Sequence, residues 1–447
     1  MAPPFGTANI KCKSFFTNTL SIYFLFAIIL LYGTFDNLQY KMQVVRHTLN
    51  NGIRLVHQRI NGAVGHCGII INSGSADESP AEHGIAHFIE HMFFKGTAKR
   101  KAYHILSRLE DVGGELNGYT TKEETAVHAS FLNEDYERAV ELISDVVFRS
   151  AFPAKEIERE KIVILEEINS YKDSPAELIF DEFEEIIYRD QAIGRNILGS
   201  PATVKKFSRN KILNFIKNNY FTDRIVFASC GNIDDKKILK LFTRYFSAIP
   251  ARFSGKTENG KWNYVPVKSE RELGTWQCHC MIGNEAYSHT DDRRFSLSLL
   301  NNILGGPGLN SRLNLTLREK KGYAYNIESS YNPYFETGVF SIYFGTDSQN
   351  LQRSIDYTLK ELEKLKTRKL GAIQLSRAKS QIKGYLARGY ENHESLMLSL
   401  GKSVLVFDRV DSLDDVCARI DRITSEDLLE TANDIFREEK LSTLIYK

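Results

Sequence analysis

The sequence predicts an α+β chain of two related α/β halves, each a mainly antiparallel sheet with helices packed on it. Three observations lead there. A serine-capped apolar helix (Ser208, then Ile212, Leu213, Phe215 and Ile216) runs into a strand at 225–229. The C-terminus repeats this with Thr424, then Leu428, Leu429, Ala432 and Ile435, and a strand at 441–446. From Trp276 onward the chain again reads strand, helix, glycine-rich break, strand, helix, as it does earlier. Each copy spans roughly 200 residues, far beyond a solenoid repeat. With 447 residues, 42% hydrophobic and 26% charged, the chain has globular composition and room for two or three domains. The divisions read as an apolar extension at 1–41, a first half at 42–250, a polar linker at 251–267 and a second half at 268–447.

The elements follow in order. Val44–Leu49 and Ile53–His57 bracket Asn50-Asn51-Gly52, two strands around a short turn. Gly68–Asn72 is a buried-strand run. An apolar helix follows around His83–Phe94, then one at Tyr103–Val112 closed by Gly113-Gly114. Thr125–Phe131 reads as a strand, and helical patterns cover Tyr136–Val147 and Lys155–Ile186.

The apolar helix holds the chemistry. Within it stands His87-Phe88-Ile89-Glu90-His91, an H-x-x-E-H. His87 and His91 are one turn apart and share a face, so two imidazoles can grip one metal ion and Glu90 can reach a water on it. Each histidine alone would read as a hydrogen-bonded core residue; the pair with Glu90 favours metal, and a third ligand is then required. Downstream, Glu160 and Glu167 are seven residues apart on one helical face, a pattern equally expected of a solvated acidic helix. At the equivalent helix the second half has Ser298–Leu304 and no such motif, so one half can hold metal and the other cannot.

The net charge of +2 gives no basic surplus for nucleic acid. The six cysteines include no C-x-x-C pair; Cys278 and Cys280 flank His279 in a strand and read as small buried residues, in a chain suited to a reducing compartment. The apolar run near residues 20–33 supports three readings: signal peptide, short membrane anchor, or sequence upstream of a start at Met42. The last is favoured, with a cytoplasmic protein as its consequence.

The chain resembles the pitrilysin-type metallopeptidases, family M16, the inverzincins. Within them it is similar to the small subfamily that includes mitochondrial processing peptidase and its bacterial relatives. The resemblance rests on His87-x-x-Glu90-His91 with Met92–Thr97, on Gly113-Gly114-x-x-Asn117 and Thr120-x-x-Glu123-x-Thr125, on Glu160-x6-Glu167, and on Ile197-Leu198-Gly199. In the second half, Leu317–Tyr325 matches the arginine–tyrosine segment. The similarity runs from about Met42 to the C-terminus.

It implies one Zn2+ per chain on His87, His91 and Glu167, with Glu90 as general base toward a water that the zinc activates. Glu160 would orient a ligand. Tyr325 would stabilise the oxyanion and Arg318 would grip substrate. The segment Asn117–Val127 resembles the edge strand that pairs with extended substrate, through Asn117, Gly118 and Tyr119. Gly118 departs from the alanine common there, and His128 stands where an aromatic is frequent. The glycine-rich stretch Gly305–Leu313 is shorter than that of the processing peptidase's non-catalytic subunit, which weighs against presequence processing.

The implied activity is a zinc endopeptidase acting on peptides or unfolded segments. Two such chains would close around a chamber as a homodimer, or as a heterodimer with an inactive homologue. The competing reading is a non-catalytic docking subunit of the same fold.

Overall fold

The computed structural model describes residues 44–255 and 263–447. The extension at 1–41, with the three readings attached to it, lies outside these residues, as does the middle of the polar linker. Strand β1 (Val44–Thr48) turns through Gly52, at φ +95°, into β2 (Arg54–Arg59) and pairs with it antiparallel. Then come β3 (Val64–Ile71), α1 (Ile85–Phe93), α2 (Ala102–Glu110), β4 (Glu115–Thr120), β5 (Thr125–Leu132), α3 (Tyr136–Phe148) and α4 (Ala154–Lys172). The first half ends with α5 (Pro175–Ile187), α6 (Pro201–Val204), α7 (Arg209–Asn219), β6 (Ile225–Gly231) and α8 (Asp235–Phe246).

The second half opens with β7 (Lys268–Arg271), β8 (Cys278–Ala286) and α9 (Arg294–Gly305). A π-helical segment, Asn314–Glu319, precedes β9 (Ala324–Pro333) and β10 (Gly338–Thr346). Helices α10 (Leu351–Thr367), α11 (Ala372–Tyr390), α12 (His393–Phe407), α13 (Leu413–Arg422) and α14 (Ser425–Ile435) lead to β11 (Ser442–Tyr446).

The first sheet runs β1-β2-β6-β3-β5-β4 and the second β7-β11-β8-β10-β9. Set β1 aside, and the two orders correspond strand for strand. The parallel pair falls in the same place in each, β2 with β6 and β7 with β11, and every other pairing is antiparallel. The two-halves prediction therefore holds down to topology. Ser208 and Thr424 cap α7 and α14 as expected, each accepting a backbone N–H three residues on. Cys278 and Cys280 are buried on one face of β8. Among the described residues no helix is long and apolar enough to cross a membrane.

Two expectations need correcting. The helical run at 155–186 is two helices, α4 and α5, broken at Asp173-Ser174. Pro175, at the first position of α5, lacks the N–H that a continuous helix would need. The edge strand is also shorter than the segment 117–127: β4 ends at Thr120, and Thr125–Val127 belong to β5, an interior strand between β3 and β4.

Each sheet packs its own helices on one face and borrows a helix for the other. On the first sheet, Val56, Ile70, Val226 and Ala228 are covered by Leu396, Met397, Leu400 and Val404 of α12. On the second, Met281, Val339, Tyr343 and Leu444 are covered by Ile179, Phe183 and Ile187 of α5. The fit at α12 is close: a Cβ added at Gly401 would stand 2.1 Å from Ile70 Cδ1. Gly401→Val is expected to destabilise the protein by about 1–3 kcal/mol through overpacking. Urea unfolding will read this, and a midpoint at or above that of the wild type contradicts it.

Candidate active site

Helix α1 carries His87, Glu90 and His91, and all nine of its residues are buried. Its start is fixed by two glycines that nearly touch. Gly84 (φ +92°) and Gly199 (φ +80°) approach so closely that a Cβ on Gly84 would lie 2.6 Å from Gly199 Cα. This gives Ile197-Leu198-Gly199 its place, against the N-terminus of the helix. Glu78 accepts the backbone N–H groups of Gly84 and Ala86 at 2.8 and 2.9 Å, satisfying first-turn donors, while burial pushes its carboxyl up to about 8.

One turn of helix sets the two imidazoles with ring centroids 4.5 Å apart, edge to face. Helix α4 packs on α1 and brings two glutamates to them. Glu167 Oε2 lies 3.9 Å from His87 Nε2 and 3.8 Å from His91 Nε2. Glu160, 3% exposed, sits behind: its Oε1 is 2.9 Å from His91 Nδ1 and its Oε2 is 2.7 Å from Lys95 Nζ. A carboxylate on Nδ1 holds that nitrogen as the donor and leaves the Nε2 lone pair facing Glu167. Burial alone would raise the Glu160 carboxyl, but His91 and Lys95 outweigh it and hold the group below its usual range. Burial also drives His87 well below the ordinary histidine value, so its imidazole is neutral, as ligation requires.

The donor atoms of His87, Glu90 and His91 lie within 4.8 Å of one another, so distance alone offers two carboxylates for one metal. Their surroundings separate them. Glu167 faces both Nε2 atoms at nearly equal distance. Glu90 leans toward the sheet edge, where Thr120 Oγ1 stands 3.4 Å from its Oε2 and a Cβ on Gly118 would be 3.1 Å from its Oε1. Two imidazoles and a carboxylate are a zinc-type donor set, three ligands that would leave a fourth position for water. Burial pushes Glu90 up to about 7, against the pull of His91, where a carboxyl can take and return a proton near neutral pH.

The remaining candidates divide. Strand β4 is the exposed edge of the first sheet, beside α1. Gly118 and Thr120 face Glu90, and period-2 alternation turns Asn117 and Tyr119 to the opposite face. There Tyr119 donates to Glu124 and packs beside His128, toward α12, so Asn117 and Tyr119 offer a bound strand their backbone only. His128 is an inter-half contact: its Nδ1 is 3.0 Å from Glu394 of α12. Arg318 and Tyr325 are brought together, the guanidinium 5.1 Å from the ring centroid. Tyr325 is 74% exposed, and among the described residues neither side chain hydrogen-bonds to the histidine cluster.

Lys95 has a part that the sequence reading left unassigned, although it stands one turn beyond His91. Lys95→Met is expected to weaken zinc retention about tenfold or less, by loosening Glu160. Zinc release to a chelator measures this, and unchanged release would mean that Lys95 does not support the ligand.

Known proteins resemble most of the chain. Residues 55–201 match the family model described as Insulinase (Peptidase family M16), and residues 206–382 match the Peptidase M16 inactive domain. An uncharacterized zinc protease of Bacillus subtilis is 32% identical over 405 residues, covering 90% of this chain and 98% of that protein. The mitochondrial-processing peptidase subunit beta of Saccharomyces cerevisiae is 31% identical over 401 residues, covering 86% and 87%. The crystal structure of a protease from Helicobacter pylori has the same fold, with a TM-score of 0.83 at 19% identity, covering 91% of this chain and 99% of that one. The inactive-domain match begins with the last elements of the first half and runs into the second, which lacks the histidine motif; the two matches and the relatives together establish that this chain belongs to peptidase family M16, a family of zinc proteases.

Proposed function

We propose that the protein is a zinc-dependent endopeptidase that cleaves extended, unfolded segments laid along β4. The observation that carries this reading is the convergence of His87 Nε2 and His91 Nε2 on one Glu167 oxygen, with Glu160 locking the His91 tautomer. A zinc ion held there supplies Lewis acidity to a water and to the scissile carbonyl. The protein's own groups do the rest. The open edge of β4 pairs with substrate backbone, which is indifferent to side chains, and sets the scissile bond over α1. Glu90 takes the water's proton and returns it to the leaving amine. Arg318 and Tyr325, pre-paired with the tyrosine exposed, meet the substrate from the second half once it is bound, the arginine gripping and the tyrosine donating to the carbonyl oxygen.

Because one chain carries both the metal ligands and the arginine–tyrosine pair, a homodimer suffices. Activity that appears only after a metal-free homologue is added would overturn that. The reading itself is tested with a quenched unstructured peptide and metal analysis of the purified protein. One zinc per chain is expected, with cleavage lost on chelation and regained with zinc. Protein that holds no zinc and gains no activity from it would favour the docking-subunit reading.

A further inference from the structure

We propose a second binding site, for a carboxylate carried on an apolar body, in the cleft between the two halves. The cleft is partly open, about 890 Å³ with the solvent at its mouth included, and lies beyond the end of β4. Its centre is Arg294, 7% exposed, at the start of α9. Arg294 Nη1 donates to the carbonyl oxygen of His289, and the guanidinium packs over Phe295 (4.4 Å) and Phe407 (5.1 Å).

Among the described residues no carboxylate lies within ion-pair distance of Arg294. Two other shielded cations do have such partners: Arg100 pairs with Glu141 and Asp145, and Lys122 with Glu184. A buried guanidinium without a counter-ion is costly, and aromatic faces offset only part of that cost. A second group in the same lining also lacks a partner, the buried Nε2 of His289.

The lining defines the ligand. Arg294 and the N-terminus of α9 form a cationic end, with Lys402, which is paired with Glu124, in the same lining, whereas Phe295, Val406 and Phe407 form an apolar wall. Glu123 lies in the same lining and repels a dianion, so a monoanion is preferred to phosphate. A planar carboxylate matches the edge of a guanidinium. A peptide C-terminus with an apolar last residue, or a free apolar acid, presents this chemistry. The site is independent of peptide cleavage and is read by binding alone.

The test is calorimetric titration of the full-length protein with N-acetyl-leucine, N-acetyl-leucinamide and inorganic phosphate. N-acetyl-leucine is expected to bind at least about tenfold more tightly than either of the others. Arg294→Gln should abolish that preference. Ser403→Phe, which fills the cleft from α12 and leaves Arg294 itself in place, should abolish binding while melting like the wild type. Equal binding of acid and amide, tighter binding of phosphate, or acid binding that survives both variants would overturn the site. The last result would place the acid at the metal centre instead.

Discussion

Glu90→Gln will cut peptide hydrolysis by about 10²–10⁴-fold and leave the zinc content at the wild-type level. The exchange keeps size and shape, so the space beside Gly118 and the hydrogen bond from Thr120 survive, and only the ability to take a proton is lost. The zinc measurement gives the prediction its edge. Glu90 and Glu167 both stand within reach of the imidazoles, and a variant that loses zinc along with activity would make Glu90 a ligand. Hydrolysis at the wild-type rate would remove the proposed mechanism.

The second large effect is on metal affinity. Glu160→Gln should weaken zinc binding about 10–100-fold, the usual cost of losing a residue that orients a ligand. Glu167→Gln should weaken it further, since it removes a charged donor that faces both Nε2 atoms. Competition against a chelator of known affinity ranks the two variants. If Glu160→Gln is the worse of the two, the assignment of the third ligand is reversed.

The histidines were legible in the sequence because a single helix turn fixes their relation and needs no tertiary contact. Glu167 was not legible from spacing, because its meeting with His87 depends on how α4 packs across α1; a resemblance had to supply it. Glu160 looked like any surface acid, yet the fold buries it between His91 and Lys95. Strand alternation already held the fact that Gly118 and Tyr119 face opposite ways, but which face met Glu90 waited on the sheet. The break at Pro175 was readable from local chemistry. Arg294 gave no signal, since an arginine at the start of a helix is ordinary until the opposite wall of its cleft is known. The exchange of α5 and α12 was beyond sequence reading, because an apolar helix face does not say whose sheet it will cover.

That exchange bears on how the chain comes to be folded. As the first half leaves the ribosome it can complete its own sheet, but the face meant for α12 stays bare until about 170 more residues have been made. During that interval Val56, Ile70 and Val226 are open to water, and the sheet that α5 covers still lacks β11. The first half expressed alone would therefore be sticky and short-lived, and adding the second half as a separate polypeptide should rescue it. The two halves mature together, and neither is a finished protein without the other.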